Sequence, residues 1–403
     1  MIAPTLLLLL SAIATATAAK VEIVSVMPEG MASNDCAEPP CKYAAFRIPG
    51  LVAIRNTLLA FAEGRKFGCA DFDGQHDLVM RRSTDNGLTW APLTTLVDAL
   101  AFPPWKNYHV KTHNAAWDPS PVHDRITNET FVFFNGPGRE ANEAAGSLAT
   151  WMMKSSDGGV TWTLPTNMTS QCQRPGHVAG TSFSGSTPGD GHAVQLASGR
   201  LLVPMYAGHP AGVSMCYSDD HGKSWTATQQ YYGDGLWAEV EVAETFADTT
   251  PPTLYMTIRL DMPHRGGPSA GGGRWFSTSK DAGLTWAPAQ PVAVPDPQCK
   301  GSVVAWPAGK GLVLSNAASC SARVNQTIYV STDNGHTWPH RQFVDARSGY
   351  STLQISGDGL IANLYEAGGC ALNLAKVDPQ KIVGDGADDG ESGGGGARGF
   401  CQK

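Results

Sequence analysis

The chain has 403 residues, of which 16% are charged, and its formal net charge is −7 at pH 7. This balance provides no basic face for phosphate groups and excludes a nucleic acid as the main partner. The 45 glycines, 27 prolines and 11 tryptophans favour many short strands joined by turns, and the sequence shows no long amphipathic helical pattern.

Residues 1–19 are predicted to form a secretory signal peptide. Their apolar stretch contains five consecutive leucines and ends in ATATAA, a run of small residues that suits cleavage by signal peptidase. The stretch is short for a membrane span, and no later one approaches the roughly 20 apolar residues that spanning needs. We therefore expect a secreted protein that does not span the membrane. Three Asn-x-Thr glycosylation sequons, at Asn128, Asn167 and Asn325, fit that compartment.

One eight-residue motif, Ser-x-Asp-x-Gly-x-Thr/Ser-Trp, occurs five times. Strand-like runs such as DLVMRR and TIYV precede the copies, so each copy is predicted to be a tight turn between antiparallel strands. The aspartate would accept hydrogen bonds within the turn, the glycine would adopt a conformation that side chains resist, and the tryptophan would bury apolar surface. Because an enzyme normally has one site, a motif in five copies indicates architecture rather than catalysis. The copies occupy residues 83–90, 155–162, 218–225, 279–286 and 331–338.

The copies start 52 to 72 residues apart, which is the period of a repeated supersecondary unit. Residues 20–384 have room for about six such units, and six four-stranded sheets around an axis make a β-propeller. The alternative, an array of β-sandwich domains, would need linkers between the repeats, and none is visible. The sequence therefore predicts an all-β, six-bladed β-propeller over residues 20–384. Residues 385–403 form a glycine-rich tail that is too polar to pack and is expected to be flexible.

The nine cysteines suit a secreted protein with disulfides. Nine is an odd number, so at least one thiol is unpaired or bonds another chain. The pairs Cys36–Cys41 and Cys299–Cys320 are the first candidates. No Cys-x-x-Cys or histidine-rich spacing indicates zinc, and no metal site is predicted.

If the five turns lie at the outside of the propeller, a catalytic site belongs at the axis, where the inner strands converge. Three arginines lie in three different predicted blades: Arg47 in FRIP, Arg259 in YMTIR and Arg323 in SCSARVN. The FRIP motif together with the five copies of the eight-residue motif, known as Asp boxes, resembles the exo-α-sialidases (neuraminidases), and the resemblance covers nearly the whole chain between the leader and the tail. It implies that the three arginines bind a substrate carboxylate, because planar guanidinium groups form charge-assisted, often bidentate hydrogen bonds with that group.

The resemblance also implies a tyrosine nucleophile with its own base. Tyr350, in RSGYSTL, matches the nucleophile, and Glu239, in WAEVEVAE, matches the glutamate that takes its proton. A phenol has a pKa near 10 and needs such a base, but it approaches an anionic sugar without the repulsion that a carboxylate nucleophile would meet. Since side chains alternate along a strand, Glu241 is expected to share the face of Glu239. Glu244 is expected to be solvated.

The general acid and base of the family is an aspartate in the loop before the first Asp box. Asp71 is the first choice because its Asp-Phe step matches the family, and Asp73 is the alternative because the middle of the motif is rearranged here. Arg65 matches a pocket arginine on the ring-hydroxyl side of the sugar. Glu366 matches the glutamate that orients the first triad arginine, whereas Glu63 either lines the pocket or is exposed.

Together these matches imply a retaining exo-α-sialidase. Such an enzyme releases terminal sialic acids from glycoproteins, glycolipids or oligosaccharides through a covalent sialyl-tyrosine intermediate, and it requires no cofactor. Two alternatives stay open at this point. One is a trans-sialidase, which passes the sugar to another glycan, and the other is a propeller that binds sialosides without turnover.

Overall fold

A computed structural model of the chain describes residues 21–35, 39–71, 74–102, 115–137, 148–173, 186–208, 211–229, 231, 237–245, 253–260, 273–306, 311–368, 370–384 and 401. The predicted signal peptide lies outside these ranges, and so does the predicted tail apart from Cys401. The boundaries at residues 19 and 384 therefore stay predictions.

The described strands form six antiparallel sheets, each with four or five strands, and one separate two-stranded ribbon. Each sheet packs beside the next, and the sixth sheet packs beside the first, so the sheets close into a ring. The predicted six-bladed β-propeller is confirmed.

The strands follow one another in the chain in the order of the blades. Strands β1 (Glu22–Met27), β2 (Ala32–Ser33) and β3 (Cys41–Lys42) come first. The first blade contains β4 (Ala45–Ile54), β5 (Thr57–Arg65), β6 (His76–Ser83) and β7 (Thr94–Val97). The second contains β8 (Trp117–Asp124), β9 (Glu129–Pro137), β10 (Leu148–Ser155) and β11 (Thr166–Asn167), followed by helix α1 (Thr169–Cys172).

The remaining blades repeat the pattern. The third contains β12 (Thr187–Pro188), β13 (Val194–Gln195), β14 (Leu201–Gly208), β15 (Ala211–Ser218) and β16 (Thr226–Ala227). The fourth contains β17 (Trp237–Glu244), β18 (Leu254–Leu260), β19 (Arg274–Ser279) and β20 (Gln290–Val292). The fifth contains β21 (Ser302–Trp306), β22 (Gly311–Ala317), β23 (Val324–Ser331) and β24 (His340–Arg347). The sixth contains β25 (Ser351–Ile355), β26 (Ile361–Glu366) and β27 (Leu372–Val377), and helix α2 (Pro379–Gly384) follows it.

The N-terminal strand closes the ring. Strand β1 pairs with β27 and becomes the fourth strand of the sixth blade. This explains why six blades carry only five Asp boxes, because the sixth blade has no hairpin between its third and fourth strands. Closure also covers an edge that would otherwise be open for pairing with another chain.

The five Asp boxes are the turns between the last two strands of blades one to five. In the first box, the Ser83 hydroxyl donates to Asp85 at 2.7 Å, and the Gly87 and Thr89 amides donate to Ser83 Oγ and Asp85 Oδ1 at 2.8 and 2.9 Å. Gly87 has φ +90°, which a side chain would resist. The same contacts recur in the other four boxes. The structural role predicted for these aspartates is confirmed.

The apolar core is divided among the six interfaces between neighbouring blades. One cluster, for example, joins Leu58 and Val79 of the first blade to Leu364 and Leu374 of the sixth. Five similar clusters occupy the other interfaces, and tryptophans of the Asp boxes pack in or against these layers. Because the apolar residues lie between the blades, the axis is left for polar side chains.

Disulfides connect parts of the chain that are far apart in sequence. Among the described residues, disulfides join Cys69 to Cys370, Cys172 to Cys216 and Cys320 to Cys401. The last bond ties the predicted tail to the fifth blade at one residue. Cys41 is also disulfide-bonded, but its predicted partner Cys36 lies outside the described residues.

The predicted Cys299–Cys320 disulfide is wrong. Cys320 bonds Cys401, and Cys299 is a free, buried thiol that packs against Ile48 and Tyr350 at the axis. Cys320 is exposed on the loop after β22, so the two sulfurs face different surroundings. The expectation of an unpaired thiol is thereby confirmed.

In the described ranges, no helix has both the length and the apolar character to cross a membrane.

Candidate active site

The predicted site residues gather at one end of the propeller axis because of the strand order. The first strand of each blade begins at this end, and the second strand returns to it. Arg47 and Glu239 lie near the beginning of β4 and β17, and Tyr350 directly precedes β25. Arg259 lies near the end of β18, and the second strands β5 and β26 end with Arg65 and Glu366.

Tyr350 and Glu239 form the centre of this group. The Tyr350 hydroxyl donates to Glu239 Oε1 at 2.7 Å, and Tyr350 is only 7% exposed. The Arg259 Nη1 group donates to both carboxylate oxygens of Glu239 at 2.8 and 2.6 Å and to the Tyr350 oxygen at 2.5 Å. A phenol, a carboxylate and a guanidinium group therefore share one hydrogen-bonded cluster.

Three guanidinium groups surround the ring of Tyr350. Their central carbons lie 5.3 Å from the ring centroid for Arg47, 5.6 Å for Arg259 and 5.1 Å for Arg323. These distances fall within the range of cation–π contacts. Arg323 is exposed on the loop between β22 and β23, whereas Arg47 is 9% exposed. The arginines predicted from three different blades thus converge on the predicted nucleophile.

Glu366 anchors both Arg47 and Tyr350. Arg47 Nε donates to Glu366 Oε1 at 3.0 Å, and the backbone amide of Ile48 donates to the same oxygen at 3.1 Å. The amide of Tyr350 donates to Glu366 Oε2 at 3.0 Å. Glu366 is 2% exposed, so a single buried carboxylate fixes the arginine and the tyrosine relative to each other.

Asp71 lies at the solvent-exposed edge of the site and contacts two arginines. Its Oδ1 atom is 2.7 Å from Arg47 Nη1 and 2.9 Å from Arg65 Nη2, and its side chain is 60% exposed. The loop is held on one side by the Cys69–Cys370 disulfide, and Arg65 Nη1 donates to the carbonyl oxygen of Cys69 at 2.5 Å. The alternative acid, Asp73, lies outside the described residues.

Glu63 is buried beside Arg65. The sequence left open whether its side chain lines the pocket or is exposed, and the exposed alternative is wrong. Arg65 Nε and Nη2 donate to Glu63 Oε2 at 3.0 and 2.6 Å, and Glu63 is 1% exposed. Burial raises the pKa of this carboxyl, but the Arg65 guanidinium group and the His76 ring together outweigh burial and lower the pKa to about 2. Glu63 is therefore ionised and fixes the orientation of Arg65.

Asp118 is a pocket residue that sequence reasoning missed. It is held by Asn135 Nδ2 and the Tyr206 hydroxyl, which donate to its Oδ2 at 2.9 and 3.2 Å, and its amide donates to Glu63 Oε1 at 3.3 Å. Burial, together with the negative charges of nearby carboxylates, raises the pKa of Asp118 well above its usual value. Asp118 thus adds a carboxyl group with a strong preference for its neutral form.

A repeated backbone irregularity turns several of these residues toward the axis. The strand register shifts between Arg47 and Gly50 in β4, between Trp117 and Ser120 in β8, and between Trp237 and Val240 in β17. These bulges lie at the same position in their blades, and each contains one site residue. In β4 and β8 the residue before a proline has positive φ, +57° at Ile48 and +55° at Asp118. The shared X-Pro step is the sequence signal that could have identified Asp118.

Glu241 faces the axis below Glu239, as the alternation of the strand predicts. It pairs with the Lys300 ammonium group and accepts hydrogen bonds from the Ser302 hydroxyl and the Val303 amide. These contacts give it a structural role between blades four and five. Glu244, which was expected to be solvated, is instead half-buried and accepts a hydrogen bond from the Ala197 amide at 2.8 Å.

One group of potential metal ligands occurs in the part of the chain that the structure describes: Cys41, Asp77 and Asp98. Cys41 is in a disulfide, and Lys66 Nζ lies 3.0 Å from Asp77 and 3.4 Å from Asp98. The positive charge of this lysine thus already balances the two carboxylates. The three potential ligands also lie far from Tyr350 in the sequence.

The electrostatics of the central pair suit proton transfer. Burial and then the charge of Glu239 raise the pKa of Tyr350 well above its usual value. Burial also acts to raise the pKa of Glu239, but the Arg259 guanidinium group and the Tyr350 hydroxyl lower it overall. Tyr350 is therefore neutral at rest, and Glu239 is an ionised acceptor within hydrogen-bonding distance.

Comparison with known proteins places this arrangement in a family. The family model of the BNR repeat-like domain matches residues 56–362. A sialidase of Bacteroides fragilis is 29% identical over 370 residues, which cover 84% of this chain and 63% of that protein. A sialidase of Micromonospora viridifaciens is 30% identical over 354 residues, which cover 80% of this chain and 50% of that protein. The chain thus corresponds to between half and two thirds of the length of these two relatives.

Among solved structures, the Hadza microbial sialidase Hz136 superposes with a TM-score of 0.70 and 25% sequence identity. The superposition covers 85% of this chain and 67% of that one. The family model covers well over half of the chain, and the relatives found by sequence and by fold are both sialidases. The chain therefore belongs to the sialidase family of BNR-repeat β-propellers.

Proposed function

We propose that the protein is a retaining exo-α-sialidase that hydrolyses terminal α-linked sialic acids. The observation that carries the proposal is the environment of Tyr350. Its hydroxyl donates to Glu239, and the guanidinium groups of Arg47, Arg259 and Arg323 surround its ring. A neutral nucleophile with a base beside it and three cations around it suits a sugar whose reacting carbon carries a carboxylate.

The three arginines would bind the substrate carboxylate. Two nitrogens of Arg47 are committed to Glu366, and the third, Nη1, contacts Asp71. Since Asp71 is largely exposed, it can give up this contact when a substrate arrives. The substrate carboxylate would then take over the Arg47 donor, and Asp71 would be released to approach the glycosidic oxygen.

In the first step, Asp71 would protonate the glycosidic oxygen as the bond to the anomeric carbon breaks. Tyr350 Oη forms a bond to that carbon, and its proton passes to Glu239. In the second step, Asp71 takes a proton from water, and the oxygen of that water bonds to the anomeric carbon. The bond to Tyr350 then breaks, and Glu239 returns the proton to the phenol. Two inversions at one carbon give net retention.

The choice of tyrosine follows from charge. A carboxylate nucleophile would be repelled by the carboxylate on the same carbon of the substrate, whereas a phenol is neutral until the proton moves. The raised pKa of Tyr350 makes spontaneous ionisation rare, so Glu239 has to take the proton during the reaction. The substrates would be sialylated glycoproteins, glycolipids or oligosaccharides.

We also propose that the protein is secreted. Disulfides persist mainly in oxidising compartments, and three bonded pairs occur among the described residues. Expression of the full chain in a secreting host should yield a protein in the medium whose N-terminal sequence begins near residue 20. Retention of residues 1–19 on the secreted protein would contradict the signal peptide.

The function is tested with the full chain and a fluorogenic α-sialoside of N-acetylneuraminic acid. We expect release of the fluorophore, with the α-anomer of free sialic acid as the first product seen by NMR. Binding without release would favour a sialoside-binding propeller, and mainly sialylated lactose in the presence of lactose would favour a trans-sialidase. The β-anomer as first product would contradict retention.

A matched pair of variants controls this test. Tyr350→Phe removes the nucleophilic oxygen, whereas Tyr217→Phe changes a tyrosine on β15 that also has an arginine, Arg200, 4.3 Å from its ring centroid. Only the first variant should lose turnover. Equal losses in both would indicate a general effect on stability instead of a chemical role.

A further inference from the structure

A short segment around Asp190 crosses the propeller axis. The amide of Gly189 donates to the carbonyl oxygen of Pro204 in β14 at 2.7 Å, and the amide of Gly191 donates to that of Pro119 in β8 at 3.1 Å. The carbonyl oxygen of Gly191 accepts from Leu51 in β4 at 3.0 Å. Backbone hydrogen bonds therefore fix both sides of Asp190 to three different blades.

The two flanking glycines permit a close approach to a fourth blade. A Cβ atom on Gly189 would lie 2.6 Å from the carbonyl oxygen of Val240 in β17. A Cβ atom on Gly191, which has φ +110°, would collide with the side chains of Glu241 and Lys300. Only glycines fit on either side, so Asp190 is held rigidly at the centre of the molecule.

Asp190 differs from the neighbouring carboxylates because its carboxyl group has no hydrogen-bond partner among the residues that the structure describes. It is 0% exposed, and among the described residues neither of its carboxyl oxygens meets a donor. Glu239 pairs with Arg259, and Glu241 pairs with Lys300. A buried carboxyl group without a partner strongly favours its neutral form.

Asp190 is surrounded by titratable groups from five blades, and the first blade contacts its segment through the backbone amide of Leu51. The titratable groups are Asp118 on β8, Tyr206 on β14, Glu239 and Glu241 on β17, Lys300 before β21, Tyr350 before β25, and His192 on its own segment. Burial raises the pKa of Asp190 to about 8, with Lys300 acting to lower it and the two glutamates to raise it. The charge of Asp190 in turn raises the pKa of Tyr350.

We propose that Asp190 is a positioning residue that acts through the Tyr350–Glu239 pair, and that it has to be neutral for the pair to transfer its proton. With Asp190 neutral, the ionised carboxylate of Glu239, held by Arg259, is the acceptor of the phenolic proton. When Asp190 releases its proton to solvent at alkaline pH, its negative charge raises the pKa of Tyr350 further and opposes formation of the phenolate. Proton transfer to Glu239 then becomes unfavourable and turnover stops. This inference rests on the proposed sialidase activity.

The first test compares pH profiles of kcat for the wild type, Asp190→Asn and Glu244→Gln. The kcat of the wild type should fall above pH 8, by about tenfold per pH unit. Asp190→Asn keeps the shape of the neutral side chain, so its kcat should stay high to a pH at least one unit higher. Glu244→Gln is the control, because Glu244 is a carboxyl of raised pKa at the opposite end of β17 and should leave the profile unchanged. If the alkaline decline of kcat lies at the same pH in Asp190→Asn as in the wild type, the proposal is overturned. It is overturned as well if this decline moves only in Asp118→Asn.

The second test needs no turnover. The pKa of Asp190 is raised in the folded protein, so the folded state binds one more proton than the unfolded chain between about pH 4 and pH 8. The melting temperature of the wild type should therefore fall relative to that of Asp190→Asn as the pH rises through this window. A constant difference overturns the proposal. Asp190→Ser replaces the Asn variant if the latter does not fold.

The two tests separate the possible failures. A wild-type protein that releases no sialic acid contradicts the proposed function, but the stability difference still reports whether Asp190 titrates. A protein that hydrolyses sialosides and shows neither the stability difference nor the shifted decline of kcat contradicts only the role of Asp190.

Discussion

The Tyr350 hydroxyl donates a hydrogen bond of 2.7 Å to Glu239, a residue 111 positions earlier in the chain. Tyr350 precedes the first strand of the sixth blade, and Glu239 lies in the first strand of the fourth. The contact therefore exists only when the blades have closed around the axis. Glu366 then fixes the Tyr350 backbone by accepting its amide hydrogen bond at 3.0 Å.

Replacing Glu239 with Gln should lower kcat by roughly 100- to 10,000-fold, the contribution typical of a positioned general base. The amide keeps the shape of the side chain but cannot accept the phenolic proton. Steady-state kinetics on a fluorogenic sialoside measures the effect, with Glu244→Gln as the control on the same strand. A kcat within a few-fold of the wild type would contradict the assignment of Glu239 as the base.

The choice of Asp71 as the acid predicts a dependence on the leaving group. Asp71→Asn should retain much of its activity on a sialoside with an activated aryl leaving group, because such a group departs without protonation. On sialyllactose, whose leaving group is poor, the same variant should lose about 100-fold or more. Asp73→Asn is the comparison variant. If only Asp73→Asn shows this pattern, the acid is Asp73.

Removal of the Cys69–Cys370 disulfide should affect the same step, because that bond holds the loop of Asp71 against the sixth blade. The double variant Cys69→Ala/Cys370→Ala should be less stable by about 2 to 5 kcal/mol, and it should lose more activity on sialyllactose than on an aryl sialoside. Cys172→Ala/Cys216→Ala removes a disulfide away from the loop and should cost stability only. Equal losses on both substrates in the first variant would contradict a role in positioning Asp71.

Much of the fold could be predicted because the Asp boxes are local. Each box forms its turn from contacts between residues no more than four positions apart, so the motif alone predicts the hairpin, and its spacing predicts the number of blades. The closure by β1 was not predicted. Its pairing with β27 joins the two ends of the fold, and nothing within residues 22–27 specifies that partner.

The site was predictable only where the residues stand in a recognisable motif. Arg47 and Tyr350 lie in such motifs, and the structure places them together. Asp190 was missed because its character comes from burial among residues of other blades, which no local pattern encodes. Asp118 carries a local signal, the X-Pro step that it shares with Ile48, but its raised pKa comes from burial and from carboxylates of other blades. The wrong Cys299–Cys320 pair has the same origin, since the packing of Cys299 against Tyr350 is a contact across blades.

The buried Glu63–Arg65 pair predicts a dependence of stability on pH. The pKa of Glu63 is about 2 in the folded protein, which is below its usual value of 4.5. The ionised carboxylate therefore stabilises the fold above about pH 5, and this contribution is lost as the pH falls toward 2. Relative to Glu63→Gln, the wild type should lose on the order of 2 kcal/mol between pH 6 and pH 3. Denaturant unfolding of both proteins measures it, and a difference independent of pH would contradict a depressed pKa.

The central claim is that Tyr350 carries the sugar between the two chemical steps. A 2,3-difluorosialic acid tests it directly, because the fluorine at C3 slows both steps while the fluoride at C2 is a good leaving group that needs no acid. After incubation and proteolysis, mass spectrometry should find the fluorosialyl group on Tyr350. The Tyr350→Phe variant should carry no label. A label on any other residue of the wild-type protein would contradict the account.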